Sequence, residues 1–261
     1  MTRPSPLTTG ADRALAWLRA NPPDSILSIS DRLLLWTLAP TEGELAELAE
    51  YEEDLTLISA EQEEAGELHL DLPGLLIILW ALERFHGQPR RPLRATLEAP
   101  TRAWAAAVAS EPEPLRSAGL YWVREVGWWD APLAPGPEPA DPLLWLYHHT
   151  HLVYYATDYG RRPAPSDQLE RSAAALTRAA DAALDNADLL GEVLLALLAL
   201  EPRDDARCQA LADRLLQAQR PDGRFTVPDA EGDFDVEHHA TCVAWLALTR
   251  LHIVQHGAEG D

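Results

Sequence analysis

Six of the nine histidines in this chain crowd into two stretches: His148, His149 and His151 between Leu143 and Gly160, and His238, His239 and His252 between Asp233 and Gln255. Imidazole and thiolate are good zinc ligands, and imidazole with carboxylate also suits iron. At about 100° per helical residue, His148, His151, Tyr155 and Asp158 share an arc of about 80°. Asp235, His239 and Cys242 share about 60° of the second stretch, with His238 on the neighbouring side. Two such stripes facing one cavity supply enough ligands for an ion and leave a coordination position open. His148, His151, Asp158, His239 and Cys242 are therefore the ligand candidates for zinc or iron. Asp235, His238 and Tyr155 are the candidates for acid–base or catalytic work beside it. Two competing assignments are histidines acting as acid and base without a metal, and histidines that are simply hydrogen-bonded in a core.

A second signal lies between these stretches. Asp188 and Glu192 stand four residues apart in Ala187–Leu200, an otherwise apolar segment. Burying Glu192 is costly unless it is paired or faces a polar cavity. An ion pair with an arginine such as Arg214 is the plain alternative to a catalytic role.

These residues must be positioned by helices, because no stretch alternates with a period of two. Amphipathic segments alternate with nearly all-apolar ones: 41–65 then 71–86, 166–184 then 187–200, 203–219 then 235–255. Thr41 and Glu44 open the first as a capping box. Residues 1–10 read as a loose tail and 11–21 as a first short helix. The five prolines in 131–142 read as a long loop within one helical domain spanning 1–261. An all-α chain in which outer amphipathic helices wrap inner apolar ones is the expected architecture.

The strongest local motif is Gln219-Arg220-Pro221-Asp222-Gly223-Arg224-Phe225, followed by Asp233-Phe234-Asp235-Val236-Glu237-His238-His239-Ala240-Thr241-Cys242. Pro-Asp-Gly makes a tight turn, and Asp233 or Asp235 caps the helix after it. Over residues 215–248 this pattern resembles the α/α-toroid superfamily of terpene cyclases and protein prenyltransferase β subunits. The resemblance implies an α/α toroid with a central cavity, and puts His238 or His239 where the prenyltransferases hold a zinc-binding histidine. The preceding inner helix has Asp188 and Glu192 but lacks the prenyltransferase cysteine. Asp233-x-Asp235 is followed by Val236-Glu237 rather than by the third Asp of the cyclase Asp-x-Asp-Asp motif.

Composition removes several classes. There is no lysine, which excludes Schiff-base chemistry and a Walker-type phosphate lysine. A net charge of −21 argues against nucleic acid and anionic membranes as partners. Two cysteines make no disulfide framework. The longest apolar run, Leu75 to Leu82, is far short of the ~20 residues of a membrane span. With no apolar leader at the N-terminus, a soluble cytoplasmic protein is expected. The expected function is a metal-dependent enzyme acting on a small or peptidic apolar substrate in a tailoring or cyclisation step. The alternatives are a metal-free, acid-initiated cyclase with Asp233 or Asp235 as proton donor, and a non-catalytic helical scaffold.

Overall fold

The computed structural model describes residues 5–39, 68–108, 115–128, 137–162, 166–181, 185–228 and 230–257. These residues form ten α-helices and no strand, so the protein is all-α. None of the helices is long and apolar enough to cross a membrane. The segment expected as an acidic helix over 41–65, with its Thr41 cap, lies outside the described residues, as do residues 131–136 of the proline-rich loop. The helices fall into two compact units, residues 24–139 and residues 1–23 with 140–261.

The first unit holds α2 (Ile26–Leu38), α3 (Leu68–His86), α4 (Arg91–Val108) and α5 (Leu115–Glu125). Ser25 and Ser28 cap α2 reciprocally, each hydroxyl bonded to the other's backbone N–H. The apolar run of α3 is buried nearly all round, from Leu72 to Leu82. A Cβ on Gly74 would come 2.9 Å from Ile26 Cγ2, so glycine there sets how closely α2 and α3 approach. Arg94 of α4 forks onto Glu83 of α3 at 2.6 and 2.9 Å and donates to the Val126 carbonyl beyond α5 at 2.8 Å. One guanidinium thereby ties three elements together.

The second unit holds α1 (Pro6–Ala20), α6 (Pro142–Thr157), α7 (Ser166–Asp181), α8 (Ala187–Leu198), α9 (Asp205–Ala218) and α10 (Phe234–His256). Helix α8 is its centre: every residue from Ala187 to Leu197 is buried, and α8 packs against α6, α7, α9 and α10. Tyr147 and Thr150 of α6 meet Asp188 and Glu192 of α8, and Asp188 in turn faces His239 of α10. Nearer their other ends, Tyr154, Leu195 and Leu246 lie together. Helices α6, α8 and α10 therefore run parallel, and α7 and α9 are the return helices between them. Gly191 sets the closest approach of α8 to α10, since a Cβ there would fall 2.8 Å from Val243 Cγ1 and 3.3 Å from Ala244 N.

Residues 6–10 belong to α1 and are not a tail. Ser5 caps the helix, accepting from Thr8 N at 3.2 Å, and Pro6 sits where a missing N–H costs nothing. Leu7, Gly10, Ala14 and Leu18 are buried on this helix, which packs along α10. The Pro-Asp-Gly turn is the clamp between them. Gln219 Nε2 donates to Gly10 O and Gly223 O, both at 2.9 Å, and Arg13 Nη2 donates to Arg220 O at 2.6 Å and Pro221 O at 3.0 Å. Phe225 is fully buried, and its N–H donates to Thr241 Oγ1 of α10 at 3.0 Å.

Gly223 has φ +103°, and a Cβ on it would lie 2.3 Å from Arg13 O. Both the left-handed backbone and the contact with α1 require glycine. Gly223→Ala is expected to destabilise the protein by about 2 kcal/mol or more in urea unfolding. Unchanged stability would mean that the turn does not hold α1.

Candidate functional site

Three titratable side chains of the second unit converge where α8 and α10 pack. Asp188, Glu192 and His239 each offer one ligand atom, and these atoms lie within 4.8 Å of one another. His239 Nε2 is 3.4 Å from Asp188 Oδ1 and 3.9 Å from Glu192 Oε1. Two ligands on a tetrahedral ion with bonds of about 2.1 Å stand about 3.4 Å apart, so this spacing fits a small divalent cation. The His239 side chain is 37% exposed while that of Glu192 is 3% exposed, which gives the site a buried acidic floor and an open imidazole side.

Helix α6 supplies the hydroxyls that occupy the other carboxylate oxygens. Tyr147 donates to Asp188 Oδ2 at 2.5 Å, and Thr150 donates to Glu192 Oε2, also at 2.5 Å. Tyr154 donates to the Glu192 carbonyl at 2.6 Å. Asp188 Oδ1 is left buried and without a hydrogen bond, facing His239. An unsatisfied buried carboxylate oxygen is costly, and a proton or a cation relieves that cost.

The two carboxyl groups are driven apart. Burial above all, with Glu192 adding to it, raises the Asp188 carboxyl against the opposing effects of His239, Tyr147 and His151. Burial acts against ionisation of Glu192 as well. There His151, His239 and the Thr150 hydroxyl together outweigh it and lower the carboxyl. Burial and the nearby Asp188 push the Tyr147 phenol far up, so it stays a proton donor. Position on the helix works against the rise at Asp188, because the first turn of α8 favours a negative charge; the N-cap Asn186 accepts from Asp188 N and Leu189 N.

His151 stands beside this group without joining it. Its Nδ1 is 3.8 Å from Glu192 Oε2 and donates to the Tyr147 carbonyl at 2.7 Å, which leaves Nε2 as the lone-pair nitrogen of the neutral ring. The other candidates go elsewhere. His148 is buried on α6, its ring centroid 5.3 Å from that of His149, which meets Ser172 Oγ at 3.1 Å. Asp158 is the left-handed C-cap of α6, 3.5 Å from Arg162 Nη2. Tyr155 is buried with its ring centroid 5.6 Å from that of His151. His238 is fully buried, 3.7 Å from Cys242 Sγ and in ring contact with Trp17 of α1 and Phe234. Asp235 is partly exposed in the first turn of α10, and Asp233 is the N-cap of that helix.

The structure thus brings His239 and His151 together with the Asp188–Glu192 pair, and holds His148, Asp158 and Cys242 apart from it. Glu192 is met by Thr150, His151 and His239, while Arg214 donates to the Ala180 carbonyl. The two carboxylates were marked in the sequence by their cost on an apolar helix. No sequence signal singled out the Tyr147 and Thr150 hydroxyls as their partners. Glu237, also buried, takes up Arg224 Nη1 at 2.7 Å and Gly232 N at 3.0 Å and serves the turn.

A family model described as a domain of unknown function (DUF6895) matches residues 75–249. The chain belongs to that family. No curated protein and no solved structure matches it. The matched stretch contains Asp188, Glu192, His239, His151 and both α6 hydroxyls, and begins after α1 and α2.

The raised Asp188 carboxyl fixes a pH dependence in chelator-treated protein. The folded chain holds this proton above the ordinary value of 3.8, where the unfolded chain has lost it, so stability falls as pH rises through the raised value. Urea unfolding from pH 4 to pH 8 should show native protein losing stability relative to Asp188→Asn over that range. A constant difference would mean that Asp188 is ionised throughout.

Proposed function

We propose that this protein is a metal-dependent enzyme whose divalent ion, zinc or iron, is held by Asp188, Glu192 and His239. The observation that carries this reading is the convergence of two buried carboxylates and one imidazole with their ligand atoms within 4.8 Å. Such a set fills three coordination positions and leaves others for water or substrate, as catalytic sites require. Tyr147 and Thr150 would hold the second oxygen of each carboxylate, the outer arrangement that orients metal ligands. His151, with Nε2 as its lone-pair nitrogen, stands where it could take up a proton beside the ion. The parallel buried helices α6, α8 and α10, with α7 and α9 returning outside them, support an α/α toroid like that of the terpene cyclases and prenyltransferase β subunits. Within it the site would act on a small or peptidic apolar substrate in a biosynthetic tailoring or cyclisation step.

The raised Asp188 carboxyl favours a second reading, acid-initiated cyclisation without a metal. In that reading the proton donor is Asp188. Asp233 is occupied as an exposed helix cap.

Elemental analysis of purified, untagged protein separates the two. About one equivalent of zinc or iron, lost in His239→Ala, is expected, and activity should be lost with chelator. A metal-free protein after reconstitution would overturn the metal reading and leave the acid. Tyr147→Phe and Thr150→Val should each weaken metal binding by about 10–100-fold while leaving the fold intact by circular dichroism. Unchanged affinity in both variants would remove α6 from the site.

A further inference from the structure

The far end of α8 borders a separate cleft of about 580 Å³, within the ~300–1,000 Å³ range of small-molecule sites. Leu197 lies nine residues beyond Asp188, about 13 Å along the helix, so the cleft is distinct from the Asp188–Glu192–His239 site. Leu169, Ala173 and Thr177 of α7 form one wall, spaced four residues apart so that they share a helix face. Leu197, Leu200 and Pro202 form the other. The charged groups at the cleft are Glu170, Glu201, Asp204 and Arg207.

Their balance is one-sided. Arg207 is spent on Asp204, which takes both its backbone N–H at 3.0 Å and its guanidinium. Glu170 and Glu201 are exposed and form no ion pair among the described residues. Arg203 acts on Glu201 from outside the lining but is itself bonded to Asp205 at 2.5 Å, so the mouth of an aliphatic slot carries a net negative charge. No aromatic ring lines it, so a bound cation would meet carboxylates and not an aromatic cage. A second copy of this chain would bring the same acidic surface against it, at a net charge of −21 per chain.

We propose that this cleft binds an aliphatic amine, its alkyl body between α7 and the end of α8 and its ammonium group between Glu170 and Glu201. The apolar walls supply affinity and the two carboxylates supply the preference for a cation. This site does not depend on the metal reading of the other end of α8.

The test is titration calorimetry of the full chain with octylammonium, octanoate and octanol at neutral pH. Octylammonium is expected to bind about tenfold more tightly than octanol, and octanoate more weakly than either, as two surface charge pairs allow. Ala173→Trp should abolish binding by filling the slot. The double substitution Glu170→Gln, Glu201→Gln, at exposed positions that leave the fold intact, should bring octylammonium to the level of octanol. Equal binding of octanoate and octylammonium would overturn the proposal. So would octylammonium binding that survives Ala173→Trp, which would show cation attraction by the acidic surface at large. A dimer in sedimentation that becomes monomer in Ala173→Trp would give the cleft to a second copy instead.

Discussion

Two carboxylates on a helix that is otherwise apolar are the constraint around which the second unit is arranged. Helix α8 is buried along its length, so Asp188 and Glu192 cannot turn to water. Each must be met by donors from a neighbouring helix, since leaving either bare costs several kcal/mol. Helix α6 supplies two hydroxyls and α10 supplies an imidazole. Those contacts fix the rotation of three parallel helices about their own axes, which apolar packing alone defines less sharply.

Close approach makes the arrangement possible. Gly191 lies between the two carboxylates in sequence and lets α8 settle against Val243 and Ala244, one turn beyond His239. On the other flank of α10, Trp17 and Phe234 enclose His238. The polar opening of α10 is thereby divided by task. Asp233 caps the helix, Glu237 and Thr241 hold the Pro-Asp-Gly turn, His238 packs towards α1, and His239 turns to the acids. Most of the conspicuous residues of the motif stabilise the junction of α1, the turn and α10.

Cys242 follows His238 into that apolar junction, and Cys208, buried elsewhere, has its thiol raised to about 11 by burial above all. A thiol in that state is a core residue rather than a nucleophile or ligand. The donor atoms gathered between α8 and α10 are oxygen and nitrogen, a harder set than the stripe of His, Asp and Cys read along the isolated helices.

Helical content and most helix limits were legible in the sequence, because they depend on local chemistry. Ser25, Asp141 with Pro142, Asn186 and Asp204 cap their helices, and the apolar run of α8 announces its burial. The cost of Glu192 was legible for the same reason. The pairing of α1 with α10 was not, since it joins segments some two hundred residues apart through a glutamine and an arginine on backbone carbonyls. Nor was the choice between His238 and His239. Adjacent residues point about 100° apart on a helix, and only the packing of α8 at Gly191 and of α1 at Trp17 decides which faces the carboxylates. Sequence by itself determined that this chain is helical and that it buries acids at a cost. Tertiary structure alone decided which hydroxyls and which imidazole answer them, because those partners are specified by packing between helices distant in the chain.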